Sequence, residues 1–458
     1  MNNATIVWSK PSDANGDVVR IANRRLVKMP WNFGLTCAAG PEQPDANHLF
    51  MSFASFLQFN RLKVRVGLLI CFTGLAARAD LPADQAKLAG ANAGFAFDLL
   101  KQIAAEQPNA NVFISPFSVS TVLQMVGNGA AGETRTEMQA VLKTAGLPAD
   151  SLNEACRSLN HSLTSLPDVT LNLANGIWYQ NGIQLKPAFV AENKNYFLAE
   201  LAGVDFAKAK SADIINGWAD KATRGKIKNV VQFPFPPRTR VILANAIYFK
   251  GKWVDPFDPK ATKPHAFHLA NGQIEQTPLM WQHRHFSYQE GEDFQAVRLP
   301  YAGGRLQMYL FLPATNSSPA KLLAGLNSES WQDKILPRFA DREGTLALPR
   351  FKLDYAVELN EPLKDLGIRQ AFIPGTADFT AMADEPLYIS AVEQKSFVDV
   401  NEEGTEAAAV TTVRMTALAV MRPLRPFEMI VDRPFFFVIE DSQTQSILFM
   451  GVIFNPMT

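Results

Sequence analysis

From Asp80 onward the chain runs through two hydrophobic rhythms, a helical one first and a strand-like one later. Ala86 to Ala105 carries apolar residues at helical spacing and predicts a long first helix. A Pro-bounded helix follows from Pro116, and Gly132-Glu133-Thr134 opens a third that reaches Leu142. Beyond these, Val169 to Gln180, Val241 to Lys250, Phe294 to Leu312, Thr345 to Leu353, Phe427 to Glu440 and Ser446 to Phe454 are rich in β-branched and aromatic residues and predict strands. Helices first and long, largely antiparallel strands later imply an α+β fold. No repeat, low-complexity run or Gly/Ser-rich linker divides residues 80–458, so one domain is expected there.

The amino end follows neither rhythm. Met1 to Pro44 has no sustained period, whereas Met51 heads a segment with the layout of an export signal. Arg61, Lys63 and Arg65 supply its positive part, Val66 to Ala77 its apolar part, and Ala77-Arg78-Ala79 the small residues around a cleavage position after Ala79. The expected organisation is an upstream extension over 1–50, a signal peptide over 51–79, and a mature protein secreted to the extracellular space or periplasm. The apolar stretch is shorter than the roughly 20 residues a bilayer span needs, so no stable membrane anchor is expected. A lipid anchor at Cys71 is disfavoured by the bulk of Ile70. Of Cys37, Cys71 and Cys156, only Cys156 would survive processing, which leaves no internal disulfide.

Composition narrows the function. With 47% hydrophobic and 19% charged residues in 458, the chain can bury a large core. Lys plus Arg equals Asp plus Glu at 44 each, so no basic excess points to nucleic acid. Gly-x-Ser-x-Gly, His-Glu-x-x-His, a phosphate loop and Cys-x-x-Cys are all missing. The pairs His265/His268 and His283/His285 could hold a metal only if carboxylates converged on them, and they read more simply as surface histidines. Neither a metal nor a cofactor is expected.

One segment stands apart. Glu402 to Ala419 has few large side chains and no proline. Its alanines suggest a helix, but its period is two: Thr405, Ala407, Ala409, Thr411, Val413 and Met415 carry no charge, while Glu406 and Arg414 fall on the opposite face. That is the pattern of a strand with one side buried.

Asn401-Glu402-Glu403-Gly404-Thr405-Glu406-Ala407-Ala408-Ala409 resembles the hinge of the inhibitory serpins. Other motifs follow in the family's order: Ser115-Pro-Phe-Ser118, Ile215-Asn216-x-Trp218, Thr223-Arg-Gly-Lys-Ile227, Asn245-Ala-Ile-Tyr-Phe-Lys-Gly-Lys-Trp253, Leu348-Pro-Arg-Phe351, Leu366-Gly-Ile368, Asp432-Arg-Pro-Phe435 and Phe449-Met-Gly451. The resemblance spans about Phe95 to Pro456 and suits a bacterial or other secreted member of the family. It implies a single domain of three β-sheets and eight to nine helices, with a reactive loop over 402–426 exposed from Glu402 onward. It also implies a monomeric inhibitor, not an enzyme, which a protease attacks to form an acyl-enzyme before the loop inserts into the central sheet.

Counting from the hinge glycine in the family's pattern places the cut bond between Leu418 and Ala419. An apolar Leu418 suits a chymotrypsin-like or subtilisin-like serine protease, with a cysteine protease also possible. A register shifted to Met415 or Met421 is the alternative. Arg414 leaves a short tether, and Arg422 precedes Pro423. The resemblance further implies a Glu402–Arg350 pair near Trp253 at the top of the sheet, and a polar cluster of Ser115, Ser118 and Asn245 beneath it. Gln394 stands where many members have histidine. The competing reading is a serpin-fold carrier, storage protein or chaperone, against which the small residues Thr405 and Ala407 to Ala409 speak.

Overall fold

The computed structural model describes residues 82–405 and 425–458. Eight α-helices lie in this part of the chain: α1 (Ala83–Glu106), α2 (Pro116–Gly127), α3 (Gly132–Val141), α4 (Ala149–Thr164), α5 (Pro187–Phe197), α6 (Lys210–Ala222), α7 (Pro319–Ala324) and α8 (Asn360–Leu366). The strands are β1 (Val112–Ile114), β2 (Val169–Gln180), β3 (Glu200–Val204), β4 (Val241–Lys252), β5 (Lys263–His268), β6 (Ile274–Glu290), β7 (Phe294–Pro300) and β8 (Leu306–Pro313). They continue as β9 (Ala340–Pro349), β10 (Phe351–Glu358), β11 (Ile389–Asn401), β12 (Gly404–Thr405), β13 (Phe427–Ile430), β14 (Phe435–Asp441) and β15 (Ser446–Ile453).

The strands form two hydrogen-bonded networks. One has six strands in the order β10-β11-β12-β4-β2-β3. The other has nine, in the order β1-β15-β14-β8-β7-β6-β9-β13 with β5 on β6. Its halves are joined by the short pairing of Ser287–Glu290 on β6 with Gln295–Arg298 on β7, and three sheets are counted if it is divided there.

Three predicted strands are each broken in two. Phe294 to Leu312 is the β7–β8 hairpin, turned at Gly303 and Gly304, whose φ values of +79° and +71° are natural to glycine. Thr345 to Leu353 crosses from one network to the other between Pro349 and Phe351, leaving Arg350 at the corner. Phe427 to Glu440 is interrupted at 431–434, between β13 and β14.

Alternation along β4 explains how the layers stack. Leu243, Ile247 and Phe249 enter the main core, while Ile242, Ala244, Ala246 and Tyr248 face a smaller core closed by Ile215 and Ala219 of α6. Helix α2 lies on the main-core side and touches β2, β4 and β15. It begins as its sequence demands: the Ser115 hydroxyl caps the Ser118 amide, and Pro116 fills the first turn, where no amide donor is needed. Cys156 is buried in α4, and burial pushes its thiol up to about 12, so it stays protonated and unreactive near neutral pH.

Candidate functional site, the seam of the six-stranded sheet

Strands β4 and β11 run parallel and pair directly from Ile389↔Val241 to Phe397↔Tyr248. Beyond Phe397 they part, and β12 lies between them. Thr405 pairs with Val400 on one side and Gly251 on the other; Gly404 pairs with Asn401 and Lys252. The chain was expected to be exposed from Glu402 onward, and here the structure differs. Thr405 has no exposed surface, Gly404 is buried, and Glu402 is 4% exposed. A two-residue strand bonded on both edges satisfies its backbone inside the sheet, which an exposed segment would leave to water.

Each residue of this wedge is held by a specific partner. The Thr405 hydroxyl lies 2.9 Å from the Tyr301 hydroxyl, which is fully buried. The Tyr301 ring stacks on Trp253 at 4.5 Å and meets Phe249 edge-on at 4.9 Å. Burial pushes the Tyr301 phenol well above its ordinary range, so it remains a neutral donor. Gly404 has φ +149°, and a Cβ there would come 2.2 Å from the Gly251 carbonyl oxygen. We expect Gly404→Ala to expel β12 from the seam, at a cost of about 1–3 kcal/mol. A lower urea midpoint and new proteolytic cleavage around Glu403 would register it; an unchanged midpoint would refute it.

Glu402 anchors the wedge from outside. Arg350 Nε donates to its two carboxylate oxygens at 2.7 and 2.8 Å, and the Thr262 hydroxyl donates to the same group. Burial alone would raise this carboxyl, but the hydrogen bonds from Arg350 and Thr262 outweigh it and hold the group below the ordinary carboxylate range. Arg350 reaches it because the chain turns from β9 to β10 at that residue. Trp253 contributes twice: its backbone amide donates to the Glu403 carbonyl at 2.9 Å and its indole to the Asn401 carbonyl at 3.0 Å.

Lower in the seam, a buried polar cluster spans the two strands. Gln394 on β11 and Asn245 on β4 are register partners, and the Gln394 amide donates to Asn245 Oδ1 at 3.0 Å. The same Gln394 side chain accepts from the Ser115 amide and donates to the Ser115 carbonyl, both at 3.0 Å. Asn245 Nδ2 donates to the Ser118 hydroxyl and, at 2.7 Å, to Asn175 Oδ1. The Ser115 hydroxyl donates to the Leu448 carbonyl at 2.7 Å. Ser115, Ser118, Asn245 and Gln394 are thus brought together in the structure, with glutamine making bonds at the position where histidine is common in the resembled family.

Three participants were not read from the sequence. Asn175 lies in the stripe Leu171, Leu173, Asn175, Ile177 of β2, where an amide among aliphatic residues is itself a signal of a buried partner. Tyr301 and Thr262 carried no local signal. Glu406, Ala407, Ala408, Ala409, Leu418 and Ala419 lie outside the described residues. His283 bonds Thr345 Oγ1 and His285 bonds Asp341, and among the described residues no three metal-binding side chains converge.

The seam strand also carries a titrating group. Glu393 faces Glu358 directly across β10–β11, and burial, then the like charge of Glu358, push its carboxyl up to about 7. Because the folded value lies above the unfolded one, its stabilising effect is complete below about pH 4.5 and lost as pH rises through 7. Glu393→Gln should therefore stabilise the protein at pH 8, on the order of 2 kcal/mol, and little at pH 5. Thermal melts at the two pH values would show it; equal shifts at both would refute it.

A sequence model of the serpin family, described as serine protease inhibitor, matches residues 90–456. The chain belongs to the serpin family. Among its relatives is an uncharacterised serpin-like protein of Thermococcus kodakarensis, 37% identical over 370 residues, covering 79% of this serpin and 84% of the relative. The leukocyte elastase inhibitor of Bos taurus is 36% identical over 382 residues, covering 81% of this chain and all of that protein (100%). Among solved structures, human thyroxine-binding globulin superposes with a TM-score of 0.75 at 27% identity, covering 82% of this serpin and 100% of that chain.

Proposed function

We propose that this serpin is a suicide substrate that inhibits serine proteases by inserting its cleaved loop into the seam between β4 and β11. The supporting observation is Thr405, already paired to both seam strands and buried on their main-core side. Continuing its register along the seam puts Ala407, Ala409, Thr411, Val413 and Met415 on that same buried side, the uncharged set of the sequence. Glu406 and Arg414 fall on the other side. Thr411 arrives between Gln394 and Asn245, where its hydroxyl can donate and accept in place of the bond that opening breaks.

Magnitudes favour this sequence as an inserting strand. Ordering a residue costs roughly 1–2 kcal/mol and a ladder bond returns about 0.5–1.5, so the backbone nearly cancels. Burial of Val413 and Met415 adds roughly 1.5–3 kcal/mol each and decides the sign. From Thr405 to Leu418 an extended strand spans about 45 Å, far enough to drag a protease bound at Leu418 across the inhibitor. Deacylation needs the protease's triad and oxyanion donors in register, and that displacement disrupts both. This chain performs no catalysis of its own.

Leu418–Ala419 is the cut bond in this reading, and the partner is a chymotrypsin-like or subtilisin-like protease met outside the cell after cleavage of the signal near Ala79. The likeness to thyroxine-binding globulin keeps a carrier as the competing reading. Incubation with chymotrypsin, subtilisin, elastase and trypsin, followed by denaturing electrophoresis and mass analysis of the released peptide, separates them. A covalent complex and a peptide beginning at Ala419 support inhibition; cleavage with no complex by any protease overturns it.

A further inference from the structure

A cavity of about 710 Å³ lies at the foot of the seam, at the end remote from β12. The segment leading into β4 lines it with Phe235, Arg238, Thr239 and Arg240, and the segment leading into β11 with Pro386 and Tyr388. We propose that this cavity receives the carboxyl end of the inserted loop in the cleaved, protease-free form, with Leu418 against its apolar wall and the carboxylate, made when water hydrolyses the acyl-enzyme, held by Arg238 and Arg240. The inference rests on the insertion reading above and adds the site where the inserted strand ends.

Register carries the placement. Gly404 opposite Lys252 and Thr405 opposite Gly251, continued antiparallel down β4, bring Met415 opposite Val241, the first residue of that strand. Leu418 is three residues further, about 10 Å at the strand rise, which carries it past the start of both seam strands and into the cavity. The charge suits the arrival. Both arginines are exposed, and their guanidinium groups have no partner among the described residues; only their backbones are engaged, the Arg238 carbonyl by the Tyr388 hydroxyl, the Arg240 amide by the Ser390 hydroxyl and the Arg240 carbonyl by the Gln180 amide. Asp205 also lines the cavity, but Lys208 pairs with it at 2.9 Å. Two free guanidiniums beside Phe235 and Pro386 therefore offer a chain terminus both a charge partner and an apolar floor. Before cleavage no carboxylate exists at Leu418, so the pair is idle in the intact protein.

The test compares intact and loop-cleaved protein for wild type and R238A/R240A. Cleavage by chymotrypsin or subtilisin is followed by mass analysis, and the fraction whose fragment ends at Leu418 is melted. Cleaved wild type should melt well above the intact protein. The double variant should leave the intact melting temperature unchanged and lower that of the cleaved form by about 2–5 °C, an effect that shrinks at 1 M salt. If cleaved wild type melts no higher than intact protein, insertion itself fails. If it melts higher and the variant matches it, insertion stands and the cavity assignment is overturned; if no fragment ends at Leu418, the cavity assignment is overturned as well.

Discussion

On the proposed insertion mechanism, Thr405→Arg should convert this serpin from an inhibitor into a substrate that its target protease cuts and releases. Thr405 has no exposed surface and its hydroxyl meets a buried tyrosine. A guanidinium at that point would be a buried charge without a partner, which costs several kcal/mol, and β12 would leave the seam instead. Insertion would then have to begin from a displaced strand, in competition with hydrolysis of the acyl-enzyme. A penalty of about 3 kcal/mol slows insertion on the order of a hundredfold, enough for hydrolysis to win most encounters. On denaturing gels, the covalent complex should give way to cleaved inhibitor. Glu406→Arg is the matched control: on the proposed mechanism an inserted strand that continues the Thr405 register would carry residue 406 on the opposite face, level with Asp399 and Lys250, so its complex should persist. A stable complex formed by Thr405→Arg as readily as by wild type would refute the role of the wedge.

That Thr405 belongs to an uncharged face fit for burial was legible in the sequence, because a period of two sorts residues into faces without any knowledge of the partner. So were the polar residues Ser115, Ser118, Asn245 and Gln394, whose motifs keep them in order. The wedge itself was not. Whether Thr405 is exposed depends on Tyr301, 104 residues away, and on a gap between β4 and β11 that opens only where those strands diverge beyond Phe397. Thr262, 140 residues from Glu402, is equally silent in the local pattern. The breaks inside predicted strands have the same cause. Arg350 sits in a run that reads as one strand, and only the crossing between two networks frees its side chain to reach Glu402. Propensity reports that a residue suits a strand; it does not report which sheet the strand joins.

Gln394→Leu should weaken the native seam and, on the proposed mechanism, speed the loss of inhibitory activity in uncleaved protein. The glutamine amide satisfies both backbone groups of Ser115 and bridges to Asn245, and all of these atoms are buried. Leucine is close in volume but leaves the Ser115 amide and Asn245 Oδ1 without their partner, at about 1–3 kcal/mol for each group, while the Ser115 carbonyl keeps the Ser118 and Val119 amides. The expected fall in native stability is about 2–4 kcal/mol, read as a lower urea midpoint with an unchanged slope. A second effect separates a seam lock from ordinary core packing. The Gln394–Asn245 bond crosses the line that must part for any strand to enter, so removing it lowers the barrier to opening as well as the stability. If that bond contributes about 1 kcal/mol to the barrier, uncleaved protein should lose activity roughly fivefold faster on incubation. Loss of stability with an unaltered half-life of activity would mean that the cluster holds the core together without guarding the seam.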